Sequence, residues 1–288
     1  MSIPAQPPTD FVGLFRLERS RLLEMLNALT TNDWQRATPC PGWDVLGLVN
    51  HLIGDDLSVI AWQRDGHHGT PAPAGGDEAS FVEWLDELQI EWVHAARRIS
   101  PRLAVELLEW LGGAVADTFQ AQPVESMSAR VSWASDEVVP VWLDQARKVT
   151  ERWIHRQQLR EAVGRSSDLA EDLAGRVLDS LRWAYPYRLD ALGTSAGVVR
   201  IEVSEPFDRH WILTPEAGTF VFAGDDVEVG PASAVLSMSV DQAWRLLTNN
   251  YDPNAHGALH SEGDRRAIDV LLRTRAIIGT PKTQLDGN

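Results

Sequence analysis

The segment Val149–Gly164, VTERWIHRQQLREAVG, decides how the rest of the chain is read. In a helix, residues four apart share one face, so Glu151 and His155 stand side by side one turn apart. A carboxylate and an imidazole in that relation are two ligands for a divalent metal, and a stable site needs at least a third from elsewhere in the chain. The best candidate is His51, which lies in another apolar-periodic segment, WDVLGLVNHLIGDDL, led in by the turn TPCPGW. Two histidines and one glutamate leave a coordination position open for water or substrate, as catalytic zinc sites do and closed structural sites do not. The plain alternative is a solvated helix face, since Glu and His at this spacing often occur without a metal.

Outward from this segment, the N-terminal half reads as helices. FVGLFRLERSRLLEMLNALT places Phe11, Phe15, Leu22, Met25, Leu26 and Leu29 on one stripe, predicting a helix over 9–29. Pro39, Pro41 and Gly42 shape the connection to a second helix, for which Asp44 is the N-cap. There Leu48, Leu52 and Val59 face a core, while His51 and Asp55 sit four apart at its edge. Phe81, Leu85, Leu88, Trp92, Ala95 and Ile99 recur at helical steps and predict a third helix over 77–99, with His94 off the stripe and solvated. A fourth helix spans about 102–119, and a loop with a short extended stretch follows. The helix of the opening segment then begins near Pro140, turns Trp142, Ala146, Val149 and Trp153 to the core, and stops at Gly164. Facing helices that carry ligands inward are how bundles build metal sites. Most of the tryptophans are read as core.

The polar run GRSSDLAED marks a boundary, giving a helical domain over 1–165 and a second domain over 166–288. Beyond it, a helix over 169–184 leads to GVVRIEVSEP, HWILTPE, GTFVFAG and SAVLSMS, short β-branched runs punctuated by Gly and Pro that read as strands. SVDQAWRLLTNN, capped by Ser239, and GDRRAIDVLLRTRAI are helical. Helices around an antiparallel or mixed sheet make this half α+β.

Composition removes several function classes. The 288 residues and 44% hydrophobic content suffice for a proper core. With 26 Lys and Arg against 41 Asp and Glu, the net charge of -15 opposes nucleic acid and anionic membranes, which attract basic patches. The single cysteine, Cys40, excludes an intrachain disulfide and fits a reducing cytoplasmic setting. The first residues show no secretory signal, and no apolar run approaches the roughly 20 residues of a membrane span.

Other motifs fail on context. GTSAG at Gly193–Gly197 matches the GxSxG string, but it precedes a strand, whereas a nucleophile elbow follows one. There is no phosphate-binding loop, GxGxxG, HExxH or CxxC. Cys40, followed by proline in a tight turn, reads as a buried structural thiol, and His67 and His68 lie in a Gly- and Pro-rich loop that would position a metal poorly.

DWQRATPCPGWDVLGLVNHL, followed about a hundred residues later by ERWIHRQQLREAVG, resembles the N-terminal domain of the mycothiol-dependent maleylpyruvate isomerase family, a branch of the DinB-like four-helix metalloproteins. LSMSVDQAWRLLTNN and EGDRRAIDVLL more loosely resemble that family's sterol-carrier-like C-terminal domain. The resemblance implies an α+β protein, with a DinB-like four-helix bundle followed by a smaller sterol-carrier-like domain. It also implies a divalent metal, zinc by preference, held by His51, Glu151 and His155, the set argued above from chemistry. The metal would activate a low-molecular-weight thiol such as mycothiol as its thiolate, for isomerisation of an activated double bond or for S-transfer to a small-molecule substrate. Asp55 is the candidate for orienting an imidazole from outside the ligand set. One departure stands out: many relatives carry an acidic residue after the second histidine, in a pattern like HRxDI, where this chain has Gln157 and Gln158.

Three other readings stand beside this one. The His2Glu set could activate water in a hydrolase, or a redox-active iron could occupy it. A binding protein could hold an apolar ligand in the second half, with the helices only structural. Arg188 and Arg209 could hold a carboxylate substrate. No sequence feature specifies the electrophile, the residues that bind the thiol or an oligomeric state.

Overall fold

A computed structural model describes residues 3–71, 78–190, 197–224 and 229–276. The chain divides into two compact units, one of Pro7–Ser126 with Lys148–Ser167, the other of Met1–Gln6, Met127–Arg147 and Asp168–Asn288. The architecture is α+β, a helical bundle and a mixed unit, as the sequence predicts, but the mixed unit is not the smaller of the two because it also takes in Met127–Arg147.

In chain order the first elements are α1 (Phe11–Asn27), α2 (Val45–Val59), α3 (Glu78–Ala95), α4 (Pro101–Ala121), β1 (Met127–Arg130), β2 (Val138–Pro140) and α5 (Val141–Ala162). α1 starts where the Asp10 carboxylate accepts the Gly13 N–H at 2.9 Å, and it buries Phe11, Phe15, Leu22, Met25 and Leu26. Asp44 caps α2 in the same way, accepting from Gly47 N–H at 2.7 Å. Ser100 caps α4, with Pro101 in the first turn where its missing N–H costs nothing. α3 departs from its expected stripe. Leu85, Leu88 and Trp92 are half-buried, Ala95 is exposed, and Val93 and Ala96 are buried, and a 3-10 turn follows at Ala96–Arg98. The side chain of Phe81 lies outside the described residues.

α5 ends on a Schellman arrangement. Gly164, at φ +75°, lets its own N–H reach Glu161 O at 3.0 Å and the Arg165 N–H reach Arg160 O at 2.8 Å. The extended stretch expected before this helix is the antiparallel β1–β2 pair, with Val131, Trp133, Ala134 and Val139 buried around it. Val45–Arg64, which includes a π turn at Ile60–Arg64, is long and apolar enough by length and composition to cross a membrane, contrary to the expectation that no run approaches that length. Its 18-residue apolar window is 72% buried within the protein, the behaviour of a core helix.

The second unit adds α6 (Glu171–Leu181), α7 (Ala184–Leu189), β3 (Val199–Ser204), β4 (Arg209–Glu216), β5 (Thr219–Phe222), β6 (Ala234–Ser239), α8 (Val240–Leu247), α9 (Pro253–His256), β7 (His260–Gly263) and α10 (Arg265–Arg273). The sheet runs β5-β4-β3-β6-β7 and is antiparallel except for the parallel β3/β6 pair. Val199, Ile201 and Val203 alternate inward beside Trp211 and Leu213 on one neighbour and Ala234, Leu236 and Met238 on the other, one apolar face set by a period of two. Ser239 and Gln242 form a capping box at the start of α8. The single helix expected over 169–184 is two, α6 and α7, with a turn at Arg182 and Trp183.

Candidate metal centre

His51 comes from the middle of α2, and Glu151 and His155 from adjacent turns of α5. One donor atom from each, all within 4.8 Å of one another, makes a group that could hold a metal ion. The two imidazoles meet edge to face, centroids 4.9 Å apart at 81°, and the Trp43 ring lies 4.9 Å from His51, tilted by 31°. Between Lys148 and Leu159, every residue of α5 is buried except Glu151 and His155, so the helix opens only at these two side chains.

Burial, with the neighbouring His51, pushes the His155 imidazole down to about 4. It is therefore neutral near pH 7, the form that donates a lone pair. Burial and the Glu151 carboxylate push Asp55 up to about 6. A cation placed between two such carboxylates relieves their repulsion. Two imidazole nitrogens and a carboxylate oxygen, one donor buried and two half-buried beside a second carboxylate, suit a borderline divalent ion.

The turn Thr38–Trp43 frames the site. Thr38 N–H donates to Trp43 O at 3.1 Å, Thr38 Oγ1 accepts the Cys40 N–H at 3.1 Å, and Gly42 at φ +80° closes the loop. Cys40 is half-buried, with Sγ 3.2 Å from Gln158 Oε1. It is thus not the buried structural thiol expected, because the turn that rigidifies it also presents it toward α5. Gln158 Oε1 lies 2.7 Å from His155 Nδ1, and Gln89 Oε1 lies 2.9 Å from His51 Nδ1. Gln89 Nε2 in turn donates to Asp55 Oδ1 at 3.4 Å, and Asp55 Oδ2 stands 3.5 Å from His51 Nε2. Lys148 Nζ is 3.8 Å from Glu151. Gln89, Gln158 and Lys148 were not singled out as contributors to the site by sequence reasoning. Only Gln158 carried a signal, as the residue standing where relatives have an acid.

Behind the site lies a buried ion network that periodicity concealed. Asp56, 0% exposed, accepts from Arg19 Nη2 at 2.5 Å and from Arg152 Nε at 3.0 Å. Arg156 Nε donates to Glu18 at 2.7 Å, and Arg19 also reaches Leu108 O. Burial pushes the Asp56 carboxyl up, but the two guanidinium groups outweigh that and hold it below the usual carboxylate range. Because Asp56 follows Asp55 and Arg152 follows Glu151, this network ties α1, α2 and α5 together directly behind the ligand positions.

The other candidate residues have surroundings of their own. His67, His68 and His94 are exposed. Arg209 pairs with Glu171 at 2.9 Å and Asp179 at 3.2 Å, and exposed Arg188 stacks on Tyr187. Of GTSAG, all but Gly197 lies outside the described residues.

A helical bundle offering two histidines and a glutamate from two helices, in a chain that continues into an α+β unit, defines by fold and donor set a class of protein with a candidate divalent-metal site. The family model described as the mycothiol maleylpyruvate isomerase N-terminal domain matches residues 15–160, half of the chain, and the chain belongs to that family. Among solved structures it is similar to the crystal structure of the mycothiol-dependent maleylpyruvate isomerase, with a TM-score of 0.54, 15% identity, and coverage of 90% of this chain and 93% of that one. It is also similar to a histidine-to-alanine mutant of that enzyme, with a TM-score of 0.54, 16% identity and the same coverage. At these identities the likeness establishes the fold. No curated protein sequence matches.

Proposed function

We propose that this protein is a metal-dependent enzyme that uses a low-molecular-weight thiol, mycothiol by family, to isomerise or to transfer the thiol to a small electrophilic substrate. The observation that carries the reading is the meeting of His51, Glu151 and His155 donor atoms within 4.8 Å, inside the segment that matches the family. These three side chains would hold the ion, zinc by donor type. When bound, the metal supplies a positive charge that lowers a thiol's pKa and makes it a thiolate near neutral pH.

The chain's own residues prepare that step. Burial keeps His155 neutral. Trp43 shields one side of His51, and Lys148 balances charge at Glu151. The division of labour assigns metal binding to residues 1–165 and a sterol-carrier-like role to residues 166–288, although Met127–Arg147 belongs to the same compact unit as the latter. A cytoplasmic location is in keeping with the single free cysteine.

The test is elemental analysis of protein purified without added metal, beside His51→Ala and Glu151→Ala. About one equivalent of zinc, absent from both variants, is expected for a three-ligand site. Metal content indifferent to both substitutions sinks the reading and favours a binding protein. Catalysis with no added thiol would favour the hydrolase.

A further inference from the structure

We infer that Gln89 and Gln158 are positioning residues that lock His51 and His155 in the Nδ1–H tautomer, leaving Nε2 as the ring donor, so that uncharged amides set the basicity of both imidazoles. The inference rests on the metal reading above and concerns how this chain prepares its ligands. Each histidine meets a glutamine oxygen at its Nδ1, at 2.9 Å for His51 and 2.7 Å for His155. An amide oxygen only accepts, so both Nδ1 atoms carry the proton.

The orientation of the Gln89 amide is set by a second partner, and that of Gln158 is compatible with one. Gln89 turns its NH2 toward Asp55 Oδ1, which as a carboxylate can only accept. That leaves Oε1 for His51. Gln158 receives the Cys40 thiol on the same Oε1 that faces His155, and a carbonyl oxygen has lone pairs for both donors. Asp55 Oδ2 stands 3.5 Å from His51 Nε2 and makes no hydrogen bond, so it does not compete for the ring proton at Nδ1.

The position of Gln89 follows from packing. Trp92 Nε1 donates to Asn50 O at 2.6 Å across a surface that Gly54 leaves bare, bringing α3 against α2 one turn from His51. Gln158 is buried one turn along α5 from His155.

Outer hydrogen bonds to ligating histidines fix the tautomer and raise ligand basicity, more with a carboxylate than with a neutral group. Two amides therefore orient the rings while leaving more of the cation's charge unneutralised, which suits a centre whose remaining ligand is an anion such as a thiolate.

The test needs no turnover. In metal-free protein labelled with 15N-histidine, at about pH 8 where an ordinary imidazole is neutral, the ring 15N shifts report which nitrogen is protonated. His51 and His155 should both be Nδ1–H. Gln89→Leu should release His51 alone, Gln158→Leu should release His155 alone, and Gln158→Glu should keep the tautomer. Zinc affinity, measured by chelator competition, should fall about 10–100-fold in each leucine variant and hold at or above wild type in Gln158→Glu. Unchanged tautomers in both leucine variants, or unchanged zinc affinity in both, overturn the inference. If Gln158→Leu does not fold, Gln89→Leu and Gln158→Glu carry the same comparison. Wild-type protein that shows both Nδ1–H tautomers yet binds no zinc would refute the metal reading and leave the tautomer assignment standing.

Discussion

Replacing Asp56 by Asn removes one buried negative charge while conserving volume, so no cavity forms and the effect is electrostatic. Arg19 and Arg152 both donate to this carboxylate, and both are nearly inaccessible to water. After the substitution they retain backbone partners, Leu108 O for Arg19 and Lys148 O at 3.0 Å for Arg152. Their charges then lose the carboxylate they share, and only Glu18 near Arg19 and Glu151 and Asp55 near Arg152 still offset them. Removing one partner of a buried ion pair costs about 3–5 kcal/mol, and the remaining carboxylates near the two guanidinium groups place Asp56→Asn toward the lower end. Hydrogen exchange read by mass spectrometry is the appropriate assay, because a chain of two units need not unfold in one step. Peptides from α1, α2 and α5 should lose protection by that amount, with β3, β4 and β6 unchanged. A loss below about 1 kcal/mol in the helical peptides would be typical of a solvated pair and would refute the argument. The same carboxyl makes a pH prediction. Its folded pKa lies below the unfolded value of about 3.9, so the unfolded chain binds the proton first. Its contribution is complete above that value and is lost as pH falls from about 4 through the folded pKa. Asp56→Asn should flatten this acid limb.

Three further outcomes can be checked by urea denaturation and metal analysis. Asp44→Ala removes the α2 cap and should cost about 1 kcal/mol; no change would mean that the Gly47 N–H finds another acceptor. Gly54→Ala puts a methyl 2.5 Å from the Trp92 ring and should cost about 1–3 kcal/mol, with weaker zinc binding as Gln89 moves; a neutral result would show that α3 yields freely. Cys40→Ser keeps a donor for Gln158 and should retain the metal at a stability cost under about 1 kcal/mol; complete metal loss would make Cys40 a ligand.

What the sequence determined by itself is what short-range physics writes into it. The burial of Phe15, Leu22 and Leu26 on α1 follows a helical period, and that of Val199, Ile201 and Val203 follows a strand period. Asp44, Ser239 and Gly164 are read as helix ends because capping involves only neighbours in the chain. Glu151 and His155 share a face for the same reason, and His51 was legible from donor chemistry and family pattern. Other features depend on which helices meet. Glu18, Arg19, Asp56, Arg152 and Arg156 are residue types that ordinarily stay in water, and only partners from other helices make their burial tolerable. Gln89 comes from a helix 38 residues beyond His51, with nothing local to distinguish it from any solvated glutamine. β7, His260–Gly263, is exposed throughout and has no apolar alternation, so only its pairing with β6 makes it a strand. Tertiary structure decided these points because charge pairing, hydrogen bonding to an imidazole and edge pairing are satisfied by distance in space, which local periodicity does not encode.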